Sequence, residues 1–159
     1  MTLSANVVAD YFIRFSHEHG DYITNLKLQK LVYYAQAWYL ALHKKPLYQE
    51  PIEAWIHGPV IPGLYQRFKD FRYEPITTHP TSPKLPDSIC NHLDEIMNVY
   101  GGYAAFELEH LTHQADPWKN ARHGLPIDAP SNEIITHEDM RIYYTKMAKE
   151  NANQGQTTC

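Results

Sequence analysis

The amino-acid sequence predicts a mainly α-helical protein, a compact multi-helix single domain built around a central buried helix with at most one small β-hairpin. Three observations predict this fold class. Apolar residues recur at the i, i+3, i+4 and i+7 spacing of amphipathic helices. Prolines and glycines punctuate the segments between these stripes. The chain has 159 residues, of which 43% are hydrophobic, enough for one sizeable core.

Capping residues and apolar stripes predict the first two helices. The first covers residues 4–19 and begins at the capping side chain of Ser4. The second follows Thr24 and has the clearest helical period in the chain, through Leu28, Leu31, Val32, Ala35, Trp38, Tyr39 and Leu42. Its apolar stripe widens until it surrounds the helix, so we expect it to be the central helix, with Lys27 and Lys30 on its solvent-facing side.

The segment between residues 46 and 62 breaks the helical period, because its prolines and glycines forbid a continuous helix. Residues 52–56 are predicted to form a short strand. A third helix is expected over residues 62–71, since proline suits the first helical position. Residues 72–86 are proline-rich and polar, which indicates a surface loop with at most one short strand.

The C-terminal half is predicted to contain four more helices. Residues 89–100 form one, and residues 104–113 form the next after the glycine pair 101–102. The dipeptide Asp116-Pro117 opens a short helical turn that carries Trp118. The last helix begins at Thr136, where Asp139 follows as in a capping box. We expect one domain over residues 1–150 and a disordered tail over residues 151–159.

Composition and charge argue against several classes of protein. No apolar stretch approaches the roughly 18 residues needed to cross a bilayer, and the start lacks the basic head of a secretory signal, so we expect a cytoplasmic protein. The formal net charge is -4 and the basic residues are scattered, which makes DNA binding unlikely on electrostatic grounds. A DNA regulator would need a basic helix that enters a groove, and only Lys27 and Lys30 suggest such a helix. Cys90 and Cys159 are expected to be free thiols.

A metal-assisted hydrolase is the alternative function that the sequence leaves open. His110 and His113 share a face of a predicted helix and Asp116 follows, so these three could bind a metal, with His57 as a fourth group. Against this, no HExxH motif accompanies them, and His113 could instead donate to carbonyls at the end of its helix. The chain also lacks a G-x-S-x-G motif and a phosphate-binding glycine loop. We therefore predict no catalytic residue, no metal and no cofactor.

The run from residue 55 to residue 62 is the most distinctive local feature of the sequence. It places Trp55, His57 and two rigid prolines around one tight turn. It is either a packed connector whose tryptophan anchors it to the central helix, or a preorganised contact surface. Nearby on the central helix, Tyr33 and Tyr34 cannot both face its main apolar stripe, so at least one is a candidate to line a secondary groove.

Three ordered motifs carry a family resemblance. They are N-L-K-L-Q-K-L-V-Y-Y-A-Q-A-W at residues 25–38, I-E-A-W with Gly58-Pro59-Val60 at residues 52–60, and L-T-H with Pro117-Trp118 at residues 111–118. Their order and spacing resemble the SocA-like antitoxin family, whose domain is also called the Panacea domain. The resemblance extends over residues 3–121, most of the chain.

The resemblance implies a mainly helical domain of bacteria and their phages, encoded beside a toxin that it neutralises by direct contact. Some family members resemble adaptors that present the toxin to a protease. We therefore predict an antitoxin that is not an enzyme and whose partner is a cognate protein toxin, with a protease and self-association left open. The candidate partner-binding residues are Tyr34, Trp55, His57, Gly58, Pro59, Val60, His113 and Trp118. The motif positions look like scaffold as much as contact surface.

Overall fold

The computed structural model describes the backbone of residues 3–157 and the side chains of residues 3–152. Over this part of the chain it confirms a mainly helical domain with a small sheet. In chain order the elements are α1 (Ala5–Glu18), α2 (Asn25–His43), β1 (Ile52–Trp55), β2 (Gly58–Val60), α3 (Pro62–Phe68), α4 (Asp87–Tyr100), α5 (Ala105–His113), α6 (Asp116–Ala121), β3 (Ile134–Ile135) and α7 (His137–Thr157). A turn of 3-10 helix, Lys69–Phe71, extends α3.

Helix α2 is the central helix of the fold, as predicted. The helices α1, α3, α4, α5 and α7 and the strand β2 all pack against it. It begins where the Thr24 hydroxyl accepts a hydrogen bond from the backbone nitrogen of Lys27, and it ends at Lys44, whose φ of 60° is left-handed. Because neighbours surround α2 on several sides, most of its residues are buried.

The prediction that Lys27 and Lys30 form a solvent-facing side of α2 is wrong. Lys30 is 0% exposed, and Lys27 is only half-buried, with its ammonium group donating to the carbonyl of Gly101. A lysine in a helix is normally assigned to solvent because burying a charge is costly. Here the packing of β2 and α5 against α2 covers Lys30.

The predicted helix starts are confirmed by their side-chain caps. The Ser4 hydroxyl accepts from Val7 N at 3.2 Å, and the Thr136 hydroxyl accepts from Asp139 N at 3.1 Å. The last helix, however, continues to Thr157, past the predicted start of a disordered tail at residue 151. Each added residue of an existing helix gains a backbone hydrogen bond without a new nucleation step. The rest of the predicted tail, residues 158–159, lies outside the described residues.

The sheet contains the predicted short strand in a hairpin, which the prediction allowed, and one additional strand. Strands β1 and β2 pair antiparallel with Trp55 opposite Gly58. Strand β3 pairs antiparallel on the other edge of β1, with Ile134 opposite Glu53, which gives the order β2-β1-β3. Strand β3 has only two residues, too few for an alternating pattern to be recognised in the sequence.

The proline-rich segment 72–86 is a loop without a strand, and it is tied to the core at Ile76. That side chain is fully buried, and its backbone nitrogen donates to the carbonyl of Ile23 at 2.8 Å. Cys90 is a half-buried free thiol, whereas Cys159 lies beyond the described residues. Among the helices of residues 3–157, none has the length and apolar character that a bilayer crossing requires.

Candidate protein-binding site

Buried polar side chains on α2 hold the neighbouring backbone in place. The Gln29 side chain accepts from Ile61 N at 2.9 Å, and the Gln36 side chain accepts from Leu47 N at 2.7 Å. Gln36 also donates to the carbonyl of Tyr48 at 2.6 Å. Both glutamines are 0% exposed. The polar positions of the first motif therefore fix the strands and loops that follow α2, because each amide satisfies a buried backbone group.

Lys30 is the least expected of these buried residues. Its Nζ donates to the carbonyl of Pro59 at 3.2 Å, which ties α2 to the strand β2. Burial lowers the pKa of the Lys30 ammonium to about 7, while the negative charge of Glu109 opposes that change.

Gly58 allows Lys30 and α5 to approach each other. Its φ is 101°, a conformation that side chains disfavour, and a Cβ there would lie 2.7 Å from Lys30 Cε and 2.9 Å from Thr112 Oγ1. Both the positive φ and the lack of space for a Cβ therefore require glycine at position 58. We call the place where the three motifs meet the motif junction, and it consists of Lys30, Gly58–Val60, Thr112, His113 and Trp118.

The far side of the motif junction is an aromatic stack. The rings of His113 and Trp118 lie 4.1 Å apart at an interplanar angle of 24°, and Trp118 Nε1 donates to the carbonyl of Trp55 at 2.8 Å. The guanidinium carbon of Arg122, a residue that sequence reasoning missed, lies 4.5 Å from the Trp118 ring centre. Burial lowers the pKa of His113, while the nearby charge of Glu109 opposes that change. Arg122 also donates to the carbonyl of Ala54 at 3.2 Å, so these contacts join α6 to β1.

The candidate binding residues divide into buried and accessible ones. Five are buried, namely Tyr34, Gly58, Pro59, Val60 and Trp118. His113 and Trp55 are half-buried and His57 is exposed. The Trp55 ring packs edge-on against Tyr65 of α3 at 5.1 Å, and His57 Nδ1 lies 2.9 Å from a carboxylate oxygen of Glu109. The motif junction is therefore mostly scaffold, and the accessible candidates are the exposed His57 and the half-buried Trp55 and His113.

The residues named for the hydrolase alternative are engaged in other contacts. His110 Nε2 accepts from the amide of Gln114 at 3.0 Å, while His113 stacks on Trp118. The Asp116 carboxylate lies 4.0 Å from Lys119 Nζ. Within the part of the chain whose side chains are described, no group of three or more His, Cys, Asp or Glu residues is placed to hold a metal ion.

A groove of about 580 Å³ lies over α2, lined by residues of α2, α4, α5 and α7; we call it the aromatic groove. Four aromatic side chains line its inner part, namely Tyr34, Trp38, Tyr100 and Tyr144. Tyr34 stacks face to face on Tyr100 at 3.8 Å and 8°, and Trp38 Nε1 donates to the Tyr100 hydroxyl at 2.8 Å. Because stacking and hydrogen bonds hold these rings, the shape of the groove is formed in advance of binding.

The mouth of the aromatic groove exposes apolar side chains from several elements. Leu42 is 58% exposed, Val99 is 50% exposed, and Tyr103 and Leu111 are 41% and 37% exposed. Glu95 is the one acidic residue that lines the groove, and no lysine or arginine lines it within the described side chains. The groove therefore combines accessible apolar area with a single negative charge.

Comparisons with known proteins agree with the motif resemblance. The sequence model of the family described as "Antitoxin SocA-like, Panacea domain" matches residues 28–119. A curated protein named Antitoxin SocA, from Caulobacter vibrioides (strain NA1000 / CB15N), is 28% identical over an alignment of 109 residues, and the alignment covers 60% of this chain and 58% of that protein. The chain thus spans less than two thirds of the length of that relative. No solved structure matches the chain. The motif junction lies within the matched residues, whereas α7 lies beyond them.

Proposed function

Because this chain belongs to the SocA-like antitoxin family, whose domain is the Panacea domain, we propose that it binds a protein toxin and blocks the toxin's action. The observation that carries the proposal is the match of the family to residues 28–119, which is more than half of the chain. The curated relative is named Antitoxin SocA. Neutralisation by this chain is our extension of that family membership.

The geometry supports a binding function through the aromatic groove. Soluble proteins usually expose large apolar side chains singly, and several of them around one concave site are typical of contact surfaces. The inner rings are aromatic, a residue class that is enriched at protein interfaces. Helix α2 connects the two parts of the site, since Lys30 holds the motif junction and Tyr34 lies in the groove.

We propose that neutralisation is stoichiometric and involves no catalysis. The histidines of the hydrolase alternative support this, because His110 contacts Gln114 and His113 packs on Trp118. Presentation of the toxin to a protease, self-association and a cytoplasmic location stay predictions. The accessible residues Trp55 and His57 stay candidates for a second contact with a partner.

Co-expression with the adjacent gene tests the function. We expect the product of that gene to arrest growth when expressed alone and to be harmless beside an excess of this chain. If it is harmless alone, or if it stays toxic beside a soluble excess, the proposal is wrong. Purified proteins then separate binding from catalysis, because blocking by binding is complete only when the chain reaches the stoichiometry of the complex. Full inactivation by a small fraction of one equivalent would instead show an enzyme.

A further inference from the structure

We infer that the aromatic groove binds an amphipathic helix of the partner, with apolar side chains on one face and a lysine or arginine that meets Glu95. This inference rests on the proposed function, because the helix is assigned to the toxin. It goes further by naming the surface and the chemistry that recognises the partner.

The shape favours a helix over a flat surface. Tyr34 and Trp38 of α2 contact Tyr144 of α7, and both also contact Tyr100 of α4. The groove over these rings is thus bordered by helices that already pack on α2. An amphipathic helix placed there adds one more helix to the bundle and inserts its apolar face between the existing ones, the mode in which helices bind hydrophobic grooves.

The exposed rim has the composition of a contact surface. Leu42 comes from α2, Val99 from α4 and Leu111 from α5, and all three line the same groove. Covering them would remove apolar surface from water at a gain of about 25 cal/mol per Å². The tyrosine and tryptophan rings beneath are already ordered by hydrogen bonds, so binding loses little conformational freedom there. The rim and the floor therefore favour an apolar occupant.

The charge of the groove selects a basic occupant. Glu95 is exposed on the α4 wall, and no lining lysine or arginine opposes it within the described side chains. A second depression adjoins the groove at Tyr143 and Met147 of α7. Among the described side chains that line it, Asp116, Asp139 and Glu150 are acidic and Lys146 alone is basic. An acidic helix would meet like charge here, and so would the same surface of a second copy. The last seven residues of the chain, NQGQTTC, contain no large apolar side chain that could fill the groove.

Selection from a displayed library of helical peptides of about four turns, roughly 14 residues, tests the inference. The library is selected on the full-length wild-type chain, and the affinity of enriched peptides is measured by fluorescence anisotropy. We expect apolar residues at i, i+4 and i+7 with at least one lysine or arginine. The inference is overturned if the enriched peptides are acidic, if they lack an apolar face, or if no peptide is enriched.

Matched variants show whether such peptides use the groove. Leu42→Gln and Val99→Gln keep helix-forming residues and remove apolar surface, and each should weaken peptide binding about tenfold or more, which corresponds to 1.4 kcal/mol. The control Ile127→Gln alters a side chain that is 63% exposed and does not line the groove, and it should leave affinity unchanged. Equal effects of the groove and control variants overturn the assignment. All three positions are exposed, so unchanged circular dichroism is expected.

Charge variants test the role of Glu95. Glu95→Gln should weaken binding of the basic peptides a few-fold, and Glu95→Lys should weaken it further, because the reversed charge repels them. Glu74→Lys makes the same reversal at an exposed position outside the groove and should have little effect. If Glu95→Lys binds as well as wild type, the basic partner is excluded.

The same variants in the co-expression assay separate the two proposals. If the wild-type chain does not neutralise the adjacent gene product, the proposed function fails whatever the peptides show. If wild type and Leu42→Gln neutralise it equally well, the groove inference is overturned while the antitoxin function stands. If sedimentation shows a dimer that Leu42→Gln converts to a monomer, a second copy occupies the groove and the inference is again overturned.

Discussion

Replacing Lys30 with methionine should remove a pH-dependent part of the protein's stability. In the unfolded chain this lysine keeps its proton up to its ordinary pKa of 10.5, whereas in the folded protein burial lowers the pKa to about 7. Between these values the unfolded state binds one more proton than the folded state. The free energy of unfolding therefore rises with pH in this window, and the stability is lower at pH 7 than at pH 10.

The magnitude follows from the width of that window. One pH unit contributes up to about 1.4 kcal/mol for one proton, so the Lys30 contribution to the free energy of unfolding should increase by roughly 4 kcal/mol between pH 7 and pH 10. Buried tyrosines act in the opposite direction at higher pH. Burial raises the pKa values of Tyr33, Tyr48 and Tyr144, so their contribution to stability is lost above pH 10.

Urea denaturation followed by circular dichroism at pH 7, 8, 9 and 10 measures this effect. Lys30→Met loses the hydrogen bond to the Pro59 carbonyl, at a cost of about 1 kcal/mol, but it has no ammonium group to titrate. The difference between wild type and Lys30→Met should therefore change by several kcal/mol across the series. Lys84→Met replaces an exposed lysine and should follow the wild-type curve. A wild-type curve that stays parallel to the Lys30→Met curve would refute our account of the motif junction.

Three further predictions concern glycine and tryptophan positions and are measured by thermal and urea denaturation. Gly58→Ala should destabilise the protein by about 2 kcal/mol or more, because residue 58 has a positive φ and an added Cβ would lie 2.7 Å from Lys30. The control Gly63→Ala should be nearly neutral, because an added Cβ there has no atom within 4 Å. Trp38→Ala should lower the free energy of unfolding by about 2 kcal/mol. This is less than the roughly 3 to 5 kcal/mol expected for a fully buried tryptophan, because Trp38 is half-buried and lines the aromatic groove. Trp55→Ala should lower stability by about 1 kcal/mol through its lost packing on Tyr65. An unaltered melting temperature together with lost toxin binding would instead make Trp55 a contact residue.

The site separates a buried scaffold from an accessible recognition surface. The motif junction uses Lys30 and Gly58 to fix the hairpin against α2, and Trp118 to fix α6 against β1 of that hairpin. These residues lie within the family match. The aromatic groove lies on α2 as well but draws part of its wall from α7, which extends beyond that match.

Local sequence patterns were enough to predict the starts of the helices, several caps and the family. Helix periods and caps involve residues three or four positions apart, so Ser4, Thr24 and Thr136 could be identified as caps without tertiary information. The three motifs were also visible in the sequence. The same local rules placed Lys30 in solvent and left the third strand unpredicted.

Contacts between distant segments determine which residues are buried and where the groove lies. Lys30 is covered because Gly58, twenty-eight positions away, lets β2 approach α2 closely. The aromatic groove forms because Tyr34, Tyr100 and Tyr144 come from three different helices. Burial and concave shape depend on contacts between distant parts of the chain, and a local sequence pattern carries no information about which distant segment will arrive.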